Sequence, residues 1–363
     1  MKHVNGLIES LNGSLGWNKS RINCFAKMLL SLIAVKTVNL QEIALGFSST
    51  AQISSRYRRL QKFFAYFNID FVVIACWLFQ LFFADQDKYY IVIDRTNWYW
   101  GLKKINIFML SVVHEGQAIP LFWHLLDKGG CSNFKDQKAL IAKFIVHFGV
   151  SGIEGLLADR EFGSGKLFGW LRKRHVPFYI RIKEGSGACI KGKKLLTAKK
   201  IFNDLKPKTE KHFPMTVEVF GEKVFLAGSR SERGELLIVA TNQAPKNAIA
   251  KYLRRWEIEC LFQSLKGRGF RFEETHITDQ KRIAKLIALL AIGFAWAHKV
   301  GEWRALKKPV YIKKFRESQR PQYSFFRYGL DFIREAVLQV SNLGKQLNQC
   351  IKLLDLPTRE AAL

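Results

Sequence analysis

The sequence predicts an α/β protein: a sheet-based core carrying a β-rich insertion, preceded by an all-α N-terminal region and followed by a helical C-terminal region. Three observations predict it. The apolar period is helical through residues 1 to about 68, changes to strand-like runs from about residue 89, and turns helical again after Pro245. From Tyr89 to Lys183 the order is three consecutive strands, helix, strand, helix, strand. Between about Gly185 and Glu235, Gly and Lys become frequent and short alternating segments take over.

The chain has 363 residues, room for a substantial buried core and more than one domain. Its 58 Lys and Arg against 30 Asp and Glu give a formal net charge of +28, which points to a polyanionic partner. The basic residues are scattered among apolar and aromatic ones instead of forming one polybasic tail, so nucleic acid is favoured over a membrane surface. The six cysteines, Cys24, Cys76, Cys131, Cys189, Cys260 and Cys350, lie far apart. With no Cys-x-x-Cys pair and no His at zinc spacing they read as buried thiols in a reducing cytosol. None of the eight histidines shows ligand spacing with another His or Cys, so each reads as a surface or hydrogen-bonded side chain. The N-terminus lacks a signal-peptide pattern. Phe71 to Ala84 and Leu286 to Ala297 fall short of the roughly 20 apolar residues that span a bilayer and read as buried core helices. A cytoplasmic protein without a membrane segment is expected.

In chain order, Asn18 predicts the cap of a helix running to about Val35, with Ile22, Phe25, Met28, Leu29 and Ile33 on its apolar face. A short helix, Leu40 to Leu45, follows Asn39 and ends at Gly46. Ser48 to Thr50 offer the cap of a third helix to about Phe67, which interleaves Arg56, Arg58, Arg59 and Lys62 with Tyr57, Leu60, Phe63 and Phe64. A short helix, a Gly turn and a basic helix outline a helix-turn-helix reader of DNA; a basic solvated face on a plain three-helix bundle is the other reading. Tyr89-Tyr-Ile-Val-Ile-Asp94 reads as a buried strand ending in a carboxylate. Ile105 to His114 and Ala118 to Leu126 follow at hairpin spacing, then a helix at Phe134 to Phe148. Ile153 to Asp159 is another apolar run ending in Asp, followed by a helix at Ser164 to Arg174 and a strand at Val176 to Lys183. That order is the layout of a ribonuclease-H-like core, in which the first and fourth strands lie side by side.

In the insertion, Phe213 to Phe220, Lys223 to Ser229 and Glu235 to Thr241 are predicted strands; the third either closes the insertion or returns to the core. Domain boundaries follow at 1–80, 81–300 with the insertion at 185–235, and 301–363. The last region reads as helical and basic, with Lys307, Lys308, Lys313 and Lys314 near Arg316 and Arg320.

Tyr252 to Lys266 contains no Pro or Gly, and on one helix Tyr252, Arg255, Glu259 and Lys266 fall within about 60° of arc, rising about 21 Å. A stripe of phenol, cations and carboxylate of that length suits several backbone phosphates. Trp256, Leu253 and Cys260 form an apolar stripe beside it, expected to pack against the sheet. Asp94, Asp159 and Glu259 then stand where such a core positions acids. Phosphodiester cleavage needs a deprotonated nucleophile and a neutralised leaving oxyanion, and two Mg²⁺ ions about 3.5 to 4 Å apart on hard oxygen ligands supply both.

The spacing Y-x2-R-x3-E-x6-K from Tyr252 to Lys266 resembles the signature of bacterial insertion-sequence transposases of the IS-four family, which have a DDE active site on a ribonuclease-H-like fold. Ile91-Val-Ile-Asp-Arg-Thr-Asn-Trp98 is similar to the family's first Asp segment, and Leu157-Ala-Asp-Arg-Glu-Phe162 to its second. Ser55 to Phe64 resembles its N-terminal helix, so the likeness covers nearly the whole chain. The resemblance implies Asp94, Asp159 and Glu259 as ligands of Mg²⁺, which Mn²⁺ can replace, and Tyr252, Arg255 and Lys266 as phosphate contacts at the transposon end, with Arg160 in a lesser role. It implies double-stranded DNA, both element ends and target, as partner, and a homodimer held through the C-terminal helices. Relatives cleave through a DNA hairpin, and in some a Trp of the insertion stacks on a flipped base. This chain has no Trp between Trp170 and Trp256. Phe213, Phe220 and Phe225 offer other π faces, with core packing the expected role of each. Core packing is likewise expected of Trp98 and Trp100. The rival readings are a ribonuclease-H-like nuclease without strand transfer and a non-catalytic DNA-binding relative.

Overall fold

The computed structural model describes residues 2–47, 49–127, 130–190, 195–314 and 319–356. The described chain opens with helices α1 (Lys2–Leu15), α2 (Lys19–Val35), α3 (Leu40–Leu45), α4 (Ile53–Tyr66) and α5 (Phe71–Phe83). Asn18 caps α2 by accepting from the Arg21 amide at 3.0 Å, and Asn39 caps α3 through the Gln41 amide at 2.9 Å, as their positions predict. The start of α4 differs. Ser48 lies outside the described residues, and the N-cap is Gln52, whose side chain makes no capping bond. Arg56 instead reaches back from inside the helix to the carbonyls of Ala51 (2.7 Å) and Phe47 (3.3 Å) and secures the loop.

The core follows as β1 (Tyr89–Trp100), β2 (Lys103–His114), β3 (Gln117–Leu125), α6 (Phe134–Phe148), β4 (Ile153–Ala158), α7 (Gly165–Lys173) and β5 (Phe178–Ile182). Strands β1, β2 and β3 are antiparallel, and β4 runs parallel to both β1 and β5, giving the order β3-β2-β1-β4-β5. Glu115 and Gly116, both at positive φ (46° and 79°), form the two-residue β2–β3 turn, whose twist matches that of the strands it joins. Asp94 does not end its strand as expected. Strand β1 continues to Trp100, and Asp94 pairs with Met109 in the β1–β2 ladder; what ends beside it is the parallel ladder to β4, at Ile93 and Ala158.

Strands β6 (Gly187–Cys189) and β7 (Leu196–Thr197), helix α8 (Ala198–Ile201), and strands β8 (Thr209–His212), β9 (Val217–Val219), β10 (Glu222–Arg230) and β11 (Leu236–Thr241) form the insertion and its return. Strand β11 both closes the insertion against β10 and returns to the core against β5. Insertion and core are therefore one continuous sheet, eleven-stranded among the described residues. The strand expected over Phe213 to Phe220 is confined to Val217–Val219. Phe220, at φ 55°, and Gly221, at φ 80°, make the hairpin tip.

Helices α9 (Ala248–Leu253), α10 (Trp256–Leu265) and α11 (Gln280–Lys307) come next, then strands β12 (Ile312–Lys314) and β13 (Gln319–Pro321), and helices α12 (Phe325–Leu338) and α13 (Val340–Lys352). The β12–β13 hairpin corrects the expectation of an all-helical C-terminal region. Pro309 and Pro321 bracket it, and neither can donate the amide a helix interior needs. Arg316 lies outside the described residues.

Helix α11 is long and apolar enough to cross a membrane, but 89 % of its most apolar window is buried within the protein. It packs against α2, α4, α5, α12 and β3. Indole nitrogens tie the C-terminal segment to the helical body: Trp296 of α11 donates to the Cys350 carbonyl (2.8 Å), and Trp77 of α5 to that of Leu354 (3.2 Å). Successive residues of β3 serve opposite faces of the sheet. Phe122 meets Phe148 of α6, whereas Trp123 donates to the Ala284 carbonyl of α11 at 3.1 Å.

Two glycines set the α11–α12 distance. A Cβ at Gly329 would stand 1.8 Å from the Ala297 carbonyl oxygen, and one at Gly301 would stand 1.9 Å from that of Phe325. Both obstacles are backbone and cannot rotate away. Gly329→Val is expected to destabilise the protein by about 3 kcal/mol through overpacking. Gly6→Ala, on α1 with open space around the new methyl, should stabilise it by about 0.5 to 1 kcal/mol. Urea denaturation of the two variants beside the parent measures both.

Candidate active site

The parallel register of β1 and β4 ends with Ile93 opposite Ala158, so Asp94 and Asp159 follow the last paired residues of adjacent strands, about 5 Å apart in the hydrogen-bonding direction. Helix α10 packs against β1, β2 and β3 and brings Glu259 to the same place. The connection is Arg255. Its Nη1 donates to Asp94 Oδ2 at 2.7 Å, and its Nη2 makes a short hydrogen bond to Glu259 Oε1. The third acid is tied in by Tyr252, whose hydroxyl donates to Asp159 Oδ1 at 3.4 Å, while Arg181 on β5 stands 3.8 Å from the same oxygen.

Arg255 and Asp94 are largely shielded from bulk water, with side-chain exposures of 12 % and 16 %, whereas Asp159 and Glu259 are each 30 % exposed. Burial pushes the Asp94 carboxyl up to about 6, against the lowering pull of Arg255 and of the Arg95 amide, which donates to its other oxygen at 2.7 Å. Glu161 and Asp159 add repulsion in the same direction as burial. Burial works against the charged guanidinium of Arg255, but Tyr252, Asp94 and Glu259 outweigh it and hold Arg255 above its ordinary value. Burial likewise raises the Tyr252 phenol, which stays a neutral donor.

The single helix expected from Tyr252 to Lys266 is two, α9 and α10. Between them the amides of Arg254, Arg255 and Ile258 bond three residues back, at 3.3, 2.8 and 3.2 Å, a tighter 3₁₀-type turn. The expected orientation is also reversed. Leu253 and Trp256 are 55 % and 56 % exposed, whereas Tyr252 is 4 % exposed, so the polar stripe faces the sheet and most of the apolar one faces out. The reason is the carboxylates: a buried guanidinium is tolerated when its donors are matched by charged acceptors, and these exist only on the sheet side. Trp256 therefore does not pack this helix against the sheet. Lys266, at the end of α10, pairs with Glu273 at 2.9 Å and lies over the buried Trp98 ring at 5.1 Å. Trp98 packs as expected, against Phe272, while Trp100 is 37 % exposed and stacks on His276 at 4.4 Å. Arg160 is exposed beside Asp159. Phe220, expected in the core, is 42 % exposed.

Four basic residues expected to meet DNA lie on α4. Arg58 and Lys62 are exposed and line a groove with Arg21 and Arg59. Arg59 also donates to the Ser20 carbonyl and to Asn23, and Arg56 holds its own loop, so part of this charge has a structural role. Two features escaped the sequence reading. Arg95 and Glu161, each close to an Asp of the site, form a two-bond ion pair at 2.7 and 2.6 Å, and Arg95 also donates to Asn106 and to the Gly130 carbonyl. Opposite charges flanking two Asp residues on neighbouring strands were the available signal. The second is a groove lined by Lys36, Arg268, Arg271, Lys313, Arg327 and Arg334. Burial and then the neighbouring Arg327 lower the pKa of Lys36; Asp331 opposes this, and Arg334 and Arg271 add to the lowering. These cations come from four separate parts of the chain, so no local pattern announces them.

A family model described as transposase DDE domain matches residues 87–294, more than half of the chain. The chain belongs to this family. It is a DNA transposase, an enzyme that cleaves DNA, and DDE transposases work with divalent metal ions. A cryo-EM structure of the piggyBac transposase synaptic complex with hairpin DNA is similar over 99 % of this chain and 84 % of that one, with 10 % sequence identity and a TM-score of 0.47. That likeness is too distant for any residue to be transferred. No curated protein matches the transposase in sequence.

The shared guanidinium makes a prediction. Arg255→Met strands the buried carboxylate of Asp94 and is expected to cost about 3 to 5 kcal/mol in EDTA. Asp94→Asn added to Arg255→Met should restore much of the loss, because the unpaired charge goes with it. Denaturant titration of the two single variants and the double variant tests this; strictly additive losses would refute the coupling.

Proposed function

We propose that this transposase is of the IS-four type, with Asp94, Asp159 and Glu259 as its metal ligands, Tyr252, Arg255, Glu259 and Lys266 as its YREK signature, and Tyr252, Arg255 and Lys266 as phosphate contacts. It binds the ends of its element, cleaves them and joins the 3′ ends to a target. The observation that carries the reading is Arg255, one cation serving Asp94 and Glu259 while Tyr252 of the same segment serves Asp159. The strand order β3-β2-β1-β4-β5 supports a ribonuclease-H-like core.

The donor set fits Mg²⁺: three carboxylates, all hard oxygen, one of them buried enough to need a cation close by. Mg²⁺, or Mn²⁺ in its place, supplies an activated water or 3′ hydroxyl and a counter-charge for the leaving oxygen. The chain's own residues provide the rest. Asp94 and Asp159, on adjacent strands, form a rigid floor. Glu259 is held over it by α10. Arg255 keeps the acids compatible in one place when no other cation is there, and its planar donor pair also suits a DNA phosphate. The exposed Arg160 stands at the edge for a second phosphate. The Arg95–Glu161 pair fixes the backbone on both sides of the floor, so the carboxylates need little reorganisation.

DNA has two basic surfaces to follow, the α2–α4 groove with Arg58 and Lys62 and the groove from Lys36 to Arg334. We assign residues 1–80 to end recognition, 81–300 to catalysis with the 185–235 insertion, and 301–363 to pairing two copies, since both ends must be held together. The six cysteines are all free thiols, which supports action in the bacterial cytoplasm on nucleoid DNA.

Two measurements test the reading. With end DNA, a target plasmid and Mg²⁺, the parent should give cut and joined products. Asp94→Ala, Asp159→Ala and Glu259→Ala should each retain end binding and lose cleavage; undiminished cleavage in any of them would remove that residue from the site, and products cut but never joined would favour a nuclease. For DNA binding, replacing Lys36 and Arg268 by Ala should lower the slope of log affinity against log salt by about 1 for each phosphate that is no longer neutralised, equally for end and unrelated DNA. An unchanged slope would take DNA out of this groove.

A further inference from the structure

A second cluster of ligating side chains lies where β2 meets α11. His114 is the last residue of β2, and His298 and Glu302 are one turn apart on α11 and share a face. Their ligand atoms, one from each residue, all lie within 4.8 Å of one another. Glu302 Oε1 makes a short contact with His114 Nε2 and stands 3.3 Å from His298 Nε2.

The hydrogen-bond network leaves His298 unresolved. The Ser264 hydroxyl donates to the Cys260 carbonyl at 2.9 Å and accepts from Gln117 Nε2 at 3.0 Å, which turns Gln117 Oε1 toward His298 Nδ1 at 3.4 Å. With the proton on Nδ1 to satisfy that oxygen, the wholly buried Nε2 carries a lone pair that faces the Glu302 carboxylate at 3.3 Å, acceptor against acceptor. With the proton on Nε2, two acceptors face each other at Gln117 instead. A metal cation bound by the lone pair and the carboxylate would relieve the opposition of two acceptors there.

We propose that His114, His298 and Glu302 bind a divalent transition-metal ion, of which Zn²⁺ fits best, as a structural clamp between β2 and α11. Two imidazoles and a carboxylate form a set that Zn²⁺ takes readily, with a water completing four-coordination. The side-chain exposures of 10 % for His114 and 19 % for Glu302 leave a way in from solvent. The Gln117–His298 contact is the outer-shell bond that orients a ligating imidazole. The surroundings hold Lys299, at 3.4 Å from Glu302 Oε2, the Glu257 carboxylate, which accepts from the His114 backbone, and the rings of Phe82, Phe83, Phe294 and Phe325. Nitrogen donors separate this site from the all-oxygen set at Asp94, so the two select different ions. Because the outer shell runs through Gln117 to Ser264 and Cys260 of α10, the clamp also braces the helix that carries Glu259.

The test uses the full-length chain stripped with EDTA and titrated with Zn²⁺, and with Co²⁺ as a spectroscopic probe, in excess Mg²⁺. The expected result is about one tight equivalent, the visible absorption of four-coordinate Co²⁺, and a higher melting temperature. Binding should persist in Asp94→Asn and disappear in His114→Ala and Glu302→Gln, whose side chains are partly exposed. X-ray absorption at the zinc edge of the parent protein, which needs no variant to fold, should show imidazole scattering. Absence of stoichiometric binding, binding unaffected by His114→Ala and Glu302→Gln, or an all-oxygen first shell would each overturn the proposal.

Discussion

The structure depends on one arginine answering two carboxylates. Asp94, Asp159 and Glu259 converge where three like charges would repel and where Asp94, the most buried of them, would lack solvation. Arg255 makes the convergence tolerable by lying between Asp94 and Glu259, with Tyr252 and Arg181 attending to Asp159. Much of the surrounding architecture delivers these groups. The parallel β1–β4 register aligns the two Asp residues, and the 3₁₀-type turn before α10 directs Arg255 inward while leaving Leu253 and Trp256 outside. The helical body behind α10 holds it against β1, β2 and β3. Within that body, the mutual approach of α11 and α12 at Gly301 and Gly329 sets how closely the helices stack.

Much of this was legible in the sequence, for identifiable reasons. Strand and helix order through residues 89–183 could be read because each element carries its own period, and Asn18 and Asn39 announced their helices because caps are local chemistry. The spacing from Tyr252 to Lys266 marked a segment whose Tyr252 and Arg255 reach Asp159 and Asp94. What was misread is tertiary. Periodicity finds a polar and an apolar stripe but not which faces the sheet, and here ion pairing decided against the ordinary rule. Asp94 looked like the end of a strand because hydrophobicity stops there; the backbone continues to Trp100 on hydrogen bonds to β2 that do not require apolar side chains. The basic groove around Lys36 and the cluster of His114 with His298 and Glu302 join residues separated by long stretches of chain, and no window of sequence contains them.

The continuity of the sheet has a mechanical consequence. Strand β5 lies between β4, which leads into Asp159, and β11, which returns from the insertion, and both pair with it directly in the sheet. The insertion's tip also folds back: Phe220 lies over Gly163 and Gly165, a few residues beyond Asp159, so closely that its carbonyl oxygen would stand 2.1 Å from a Cβ at Gly165. A load applied to the outer strands therefore travels by two routes, along the ladder and through the tip, and both terminate beside the same aspartate. Insertion and core are thereby mechanically one piece, so a displacement of the outer strands is felt beside Asp159.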